Sequence, residues 1–131
     1  MNFENDRNKL KIINPKIYFY DKKDKDILRQ KEKNVIAWMT SKNAIINVYT
    51  KDMHAYNDVV MFSNTQNIKL TTEEVFYDNE KDLFYSHKFV SIVQGDNLTE
   101  GIGFDAKSDL SQINIKKDVI IKYLKKDTKI E

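Results

Sequence analysis

Apolar and polar residues alternate along most of this chain with the period of two expected of half-buried strands. The pieces are short: Asn34–Met39, Ala44–Tyr49, Met53–Tyr56, Val59–Phe62, Ile68–Thr71, Val75–Tyr77, Leu83–Tyr85, Phe89–Val93, Ile113–Ile115 and Val119–Tyr123. Near the start, Ile17 and Phe19 alternate with Tyr18 and Tyr20, so Ile12–Tyr20 reads as the first clear strand, with Pro15 near its mouth. Turn chemistry separates the pieces, as in Ser63–Asn67 and Asp78–Asp82. The charged run Asp21–Asp26 reads as a solvated hairpin tip. No stretch keeps helical i, i+3, i+4, i+7 spacing for three turns. The fold expected is all-β, an antiparallel set of many short strands.

A repeat underlies the alternation. Val59, Val90 and Val119 serve as anchors, 31 and 29 residues apart. Fifteen positions before them stand Ala44, Val75 and Phe104, and thirteen before stand Ile46, Tyr77 and Ala106. Six before stand Met53, Phe84 and Ile113, and two after stand Met61, Ile92 and Ile121. All are apolar or aromatic, and their parity puts them on one face. Repeated units with one apolar face stack into an elongated slab or open roll with a continuous greasy interior. Such a roll ends in two unpaired strands, which are either blunted or used for docking. The first strand, with Ile17 and Phe19, and the last, with Val119, Ile121 and Tyr123, are the expected edges. Lys122, Lys125 and Lys126 suit a blunted last edge.

All three glycines fall within QGDNLTEGIGF, residues 94–104. A dinucleotide loop needs a helix after its glycines. Here Lys107–Gln112 is too short and polar for one, and alternation resumes at Ile113. The stretch therefore reads as a turn around Gly95, then a strand from Leu98 to Phe104. Gly101 and Gly103 leave one face of it bare, while Leu98, Ile102 and Phe104 point inward. The glycines would permit a bend or close backbone packing in a curved roll.

Composition narrows the function. The chain has 131 residues, 32% of them charged and 40% hydrophobic, which suits one globular domain with a real core. A flexible N-terminal segment is expected at residues 1–9 and a charged C-terminal tail at 125–131, with the domain over 10–124. A net charge of +2 gives no argument for nucleic acid. The absence of cysteine removes disulfides, thiolate metal sites and thiol nucleophiles together. No apolar run approaches the ~18–20 residues that span a bilayer, and no signal-peptide pattern is present. No nucleophile elbow, phosphate loop or zinc motif occurs. His54 and His87 read as surface histidines on strands, and adjacent Glu73 and Glu74 face opposite sides. Trp38 reads as core or strand-face packing. The residues assemble no catalytic set, no metal site and no cofactor site.

Several segments resemble one family. They are Leu70–Asp78 (LTTEEVFYD), Phe89–Ile92 (FVSI), Gly101–Phe104 (GIGF) and Ile113–Val119 (INIKKDV), preceded by Asn14–Asp21 (NPKIYFYD). In order and spacing, over about residues 12–123, they resemble the LptC family, the periplasmic subunit of the lipopolysaccharide export machine. The bridge protein LptA shares the same OstA-type repeats and is the close competitor. The resemblance implies a β-jellyroll open along one side, whose apolar interior carries the acyl chains of lipid A, with no chemistry and no cofactor. The expected lining is Ile46, Met53, Val59, Met61, Val75, Tyr77, Phe84, Val90, Ile92, Phe104, Ile113, Ile115, Val119 and Ile121. The resemblance further implies LptA docked at the C-terminal edge and the LptF and LptG jellyrolls of the LptBFG transporter at the N-terminal edge. The family sits in the periplasm, attached to the inner membrane by an N-terminal anchor; this chain departs from the pattern in having no such segment. A β-augmentation module that binds no lipid is the alternative from a different class.

Overall fold

The computed structural model describes residues 8–20 and 35–125. The expected hairpin tip at Asp21–Asp26 and the lysine at position 126 lie outside them. Among the described residues nine strands form one antiparallel sheet: β1 (Lys9–Ile13), β2 (Lys16–Tyr20), β3 (Val35–Thr40), β4 (Asn43–Asn47), β5 (Met53–Ser63), β6 (Ile68–Asp78), β7 (Leu83–Gln94), β8 (Asn97–Lys107) and β9 (Ile113–Tyr123). The order is β1-β4-β5-β6-β7-β8-β9, with β3 also on β5 and β2 on β3. The fold is the all-β open roll that the alternation implies.

The strands themselves differ from the expectation in a consistent way. Met53–Tyr56 and Val59–Phe62 are two halves of β5, and the later pieces likewise join in pairs into β6, β7 and β9. Each long strand carries an irregularity at its middle. Pairing shifts between Tyr56 and Val59, Thr72 and Phe76, Ser86 and Phe89, and Glu100 and Ile102. Left-handed residues mark the same line, with Asn57 (φ 68°), Asp58 (φ 56°), Gly103 (φ 76°) and Asp118 (φ 56°). The expected single strand Ile12–Tyr20 breaks on this line too, at left-handed Asn14 and Pro15, giving β1 and β2. The Asn14 amide donates to the Lys42 carbonyl, and the Lys42 amide to the Asn57 carbonyl, which ties the breaks together. Bulges bend and twist a strand. Aligned across the sheet, they crease it into two layers.

The first layer holds β1, β4 and the halves of β5–β9 that pair with them; the second holds β2, β3 and the other halves. Side chains prove that the layers face each other. Phe19 on β2 stacks edge-on against Tyr77 (centroids 5.4 Å) and Phe84 (5.1 Å) of the first layer. Between the layers lies the core, with Val59, Leu70, Val75, Phe84, Val90 and Phe104 fully buried. The crease satisfies its own polar groups: Thr72 Oγ1 donates to the Phe89 carbonyl at 2.7 Å, and Ser86 Oγ accepts from the Lys88 amide at 3.0 Å.

The sequence repeat acquires a geometric meaning here. Ile46 and Met53, Tyr77 and Phe84, and Ala106 and Ile113 are cross-strand partners on either side of successive turns. With Leu10 they make one continuous row across the first layer. A matching row crosses the second layer through Ile17, Met39, Met61, Leu70, Ile92, Thr99 and Ile121. The anchors Val59 and Val90 lie just past the crease in β5 and β7, and Val119 just past it in β9.

One parity expectation fails. Leu98 pairs with Val93 and Ile102 with Phe89 on the outer face, while Gly101 is buried and faces inward beside Val90. Only Phe104 of the three points inward. The reason is the irregularity at left-handed Gly103, which flips the strand's alternation. The turn at Gly95 and Asp96 and the strand that follows it are as read from the sequence. Ala44–Tyr49 stops short: β4 ends at Asn47, whose side-chain oxygen accepts from the Tyr49 and Thr50 amides and turns the chain.

Candidate functional site

The two layers leave a groove opposite the crease. Of the fourteen expected lining residues, twelve belong to the interlayer core: eight are buried in it and Ile46, Tyr77, Ile113 and Ile115 pack against its rim. Val119 (46% exposed) and Ile121 (54%) are open to solvent, because β9 is the last strand of the sheet order and, among the described residues, no further strand lies beside it. The interior is therefore solid near the crease and loosens outward.

Two cavities lie along the groove's mouth. One, of about 280 Å3, is lined by Ile68, Ile92, Ile113, Ile115, Thr99 and Leu110, with Gln66, Gln94 and Ser111 at its rim. It opens toward β9. The other, of about 560 Å3, lies toward β2 and β3 between Phe19, Tyr77, Ile36 and a polar rim that includes Asn79, Asp82, Lys107 and Ser108. Tyr77 donates its hydroxyl to Asp82 at 2.5 Å, and burial, then this carboxylate, pushes its ionisation well above the ordinary tyrosine range. It is a neutral donor at any physiological pH.

Between the cavities runs the loop after β8, residues 108–112. Its Leu110 is 1% exposed, inserted into the core. Sequence reasoning missed this residue, although a lone leucine in the polar run KSDLSQ was a signal. It missed Met39 and Leu70 as interior residues as well; both are fully buried. The signal was in the repeat, since each stands twenty positions before an anchor, Val59 or Val90, but the third member of that offset is the polar Thr99.

The edges are equally distinct. Among the described residues β9 pairs only with β8, β1 only with β4 and β2 only with β3. The second half of β9 exposes Val119, Ile120, Ile121 and Tyr123 on both faces, and Leu124 just after it is exposed too. Of the expected edge residues at the other end, Ile17 and Phe19 stand on β2 with their side chains packed on the core. Lys122 is engaged by Glu100 at 3.3 Å.

The outer faces carry aromatic ladders. Trp38 lies on the strand face, outside the core, stacked on Phe62 with centroids 5.2 Å apart. His54 stacks on Phe76 at 4.3 Å and bonds Glu74 at 2.7 Å, while His87 is exposed at the β7 irregularity. Among the described residues no three His, Asp or Glu side chains gather as metal ligands.

Residues 1–124 match the family described as Lipopolysaccharide-assembly, LptC-related. The chain belongs to the LptC family. No curated protein matches it. LptC membership gives this chain a role in lipopolysaccharide transport, as a transport component and not a known enzyme, and implies a periplasmic protein associated with the inner membrane. Among the described residues no helix is long and apolar enough to cross a membrane.

Proposed function

We propose that this LptC-family protein accepts lipopolysaccharide from the LptBFG transporter, holds its acyl chains in the interlayer groove, and passes them at the β9 edge to LptA. The observation that carries the reading is the cavity of about 280 Å3 whose wall of Ile68, Ile92, Ile113 and Ile115 meets a polar rim and lies on the row that Thr99 continues to solvent-exposed Ile121. The isoleucine wall suits an alkyl chain, since burying apolar area yields ~25 cal/mol per Å2. The half-open interior suits transit, because deep burial would hold a lipid that must leave. LptA would extend the sheet at β9, and the LptF and LptG jellyrolls would meet the β1 and β2 side, each by strand addition. The test is a photo-crosslinker placed at Ile92, Ile113 or Ile121 during export. Adducts with lipopolysaccharide at these positions are expected; their absence at all three in a folded protein overturns the reading.

One observation favours a second reading, an assembly module that binds no lipid. The core beside the crease is already filled by this chain's own side chains, with Val59, Val75, Phe84 and Val90 fully buried. On that reading the crosslinks fail while β9 still recruits a jellyroll partner.

A further inference from the structure

We propose that the loop of residues 108–112 is a releasable strap across the groove, and that Leu110 stands in the path that an acyl chain takes. This deepens the transport reading and rests on it. Three observations converge. The segment is the shared wall: Leu110 lines the cavity toward β9, while Lys107, Ser108 and Asp109 line the cavity toward β2. Each cavity alone is a dead end against the strap. With Leu110 withdrawn they join into one channel, whose size falls in the ~300–1,000 Å3 range of ligand pockets.

The conformation of Leu110 is the second observation. Every hairpin from β4 to β9 has a left-handed residue in its turn: Lys51, Asn67, Asp82, Gly95 and Leu110. Asparagine, aspartate and glycine take that conformation readily, but a bulky apolar side chain is an outlier there. Leu110, with φ 61°, is held by its burial. A ligand that takes over that burial would let the backbone relax.

The third is how lightly the strap is tied. Ser63 Oγ of the second layer donates to the Asp109 carbonyl at 2.7 Å, and Ser108 Oγ donates to Asp82 at 3.1 Å. Its other bonds among the described residues close the turn itself, with the Leu110 amide on the Lys107 carbonyl, the Lys107 amide on the Gln112 carbonyl and the Ser111 amide on Asp109 Oδ1. The Ser63 bond joins two neutral groups and exchanges for water at little net loss, while the Ser108 bond ends on a carboxylate and is the firmer tie. Apart from that one bond the strap is closed chiefly by the apolar contact of Leu110, which is what an alkyl chain replaces in kind.

The chain has no cysteine, so a Ser63→Cys/Asp109→Cys pair provides one reversible tether. The probe is fluorescently labelled lipopolysaccharide, with loading followed by fluorescence for wild type, the tethered protein oxidised and reduced, Leu110→Ala and Ser63→Ala. Oxidation is expected to slow loading at least tenfold and reduction to restore it. Leu110→Ala and Ser63→Ala are expected to load several-fold faster than wild type. Loading at the wild-type rate by the oxidised tether overturns the strap while leaving the transport reading standing. If the tethered protein does not fold, wild-type rates in both alanine variants overturn it equally. A wild-type protein that takes up no lipopolysaccharide overturns the groove reading and the strap together.

Discussion

At the scale of residues, two positions give clean tests of packing and charge. A Cβ built on Gly101 meets Ile115 Cγ2 at a non-bonded approach of 2.3 Å and the Lys117 carbonyl oxygen at 3.1 Å. Ile115 lies over the glycine, so β9 closes on β8 only because that side chain is missing. Gly101→Val is therefore expected to lose about 1–3 kcal/mol of stability by overpacking, read as a lower denaturant midpoint with an unchanged slope. Asp105 accepts from Lys116 Nζ at 2.7 Å and from Asn114 Nδ2 at 2.8 Å. These two bonds, the lysine's first, hold its carboxyl below the ordinary value of 3.8. A group whose folded-state pKa is depressed stabilises above its unfolded pKa, and the contribution fades as pH falls through the folded one. Wild type should therefore exceed Asp105→Asn in stability at pH 7, and the gap should close below about pH 4. Urea titrations of both proteins at pH 7 and pH 3 measure it, and a gap that is constant with pH contradicts the assignment.

Elements are shaped by the crease, and its cause is local. Asn57 and Asp58 are consecutive left-handed residues inside a strand, a conformation that β-branched side chains resist. Asn57→Val is expected to cost about 1–2 kcal/mol, whereas Asn57→Gly should stay within about 0.5 kcal/mol of wild type. Equal stability of the two variants, measured by chemical denaturation, would mean that the crease does not depend on this residue. Much of this was written in the sequence without being readable as a fold. The breaks in alternation at Asn57-Asp58 and His87-Lys88 are visible as polar gaps, and a polar gap looks the same whether the chain turns back or merely bends. Hydrogen bonding distinguishes them: β5 keeps pairing β6 on both sides of the gap. Gly103 shows the same limit, since its positive φ reverses the inward parity that alternation alone assigns to Leu98 and Ile102.

For the whole molecule, the question is what the open end recruits. Ile120 (54% exposed) and Tyr123 (65%) stand on the terminal strand and contribute little to the core. The double variant Ile120→Lys/Tyr123→Lys should fold with stability within about 0.5 kcal/mol of wild type. Charged side chains on an edge oppose strand addition, so its association with an LptA jellyroll should weaken at least tenfold in analytical ultracentrifugation. Undiminished association would remove β9 as the docking edge.

The sequence by itself determined the strand-rich class, the apolar face and the family. These depend on period-two alternation and on repeat spacing, which are properties of the chain's order alone: the seven-residue offset of Ile46 and Met53 recurs in Tyr77 and Phe84, and again in Ala106 and Ile113. Tertiary structure decided how that face is used. It creased the sheet so that Phe19 reached Phe84 across the interior, sealed the space beside Val59 and Val90, and drew Leu110 into the groove. Such contacts join residues far apart in the chain, and which of them form depends on bend angles and volumes that no pattern of apolar and polar positions encodes.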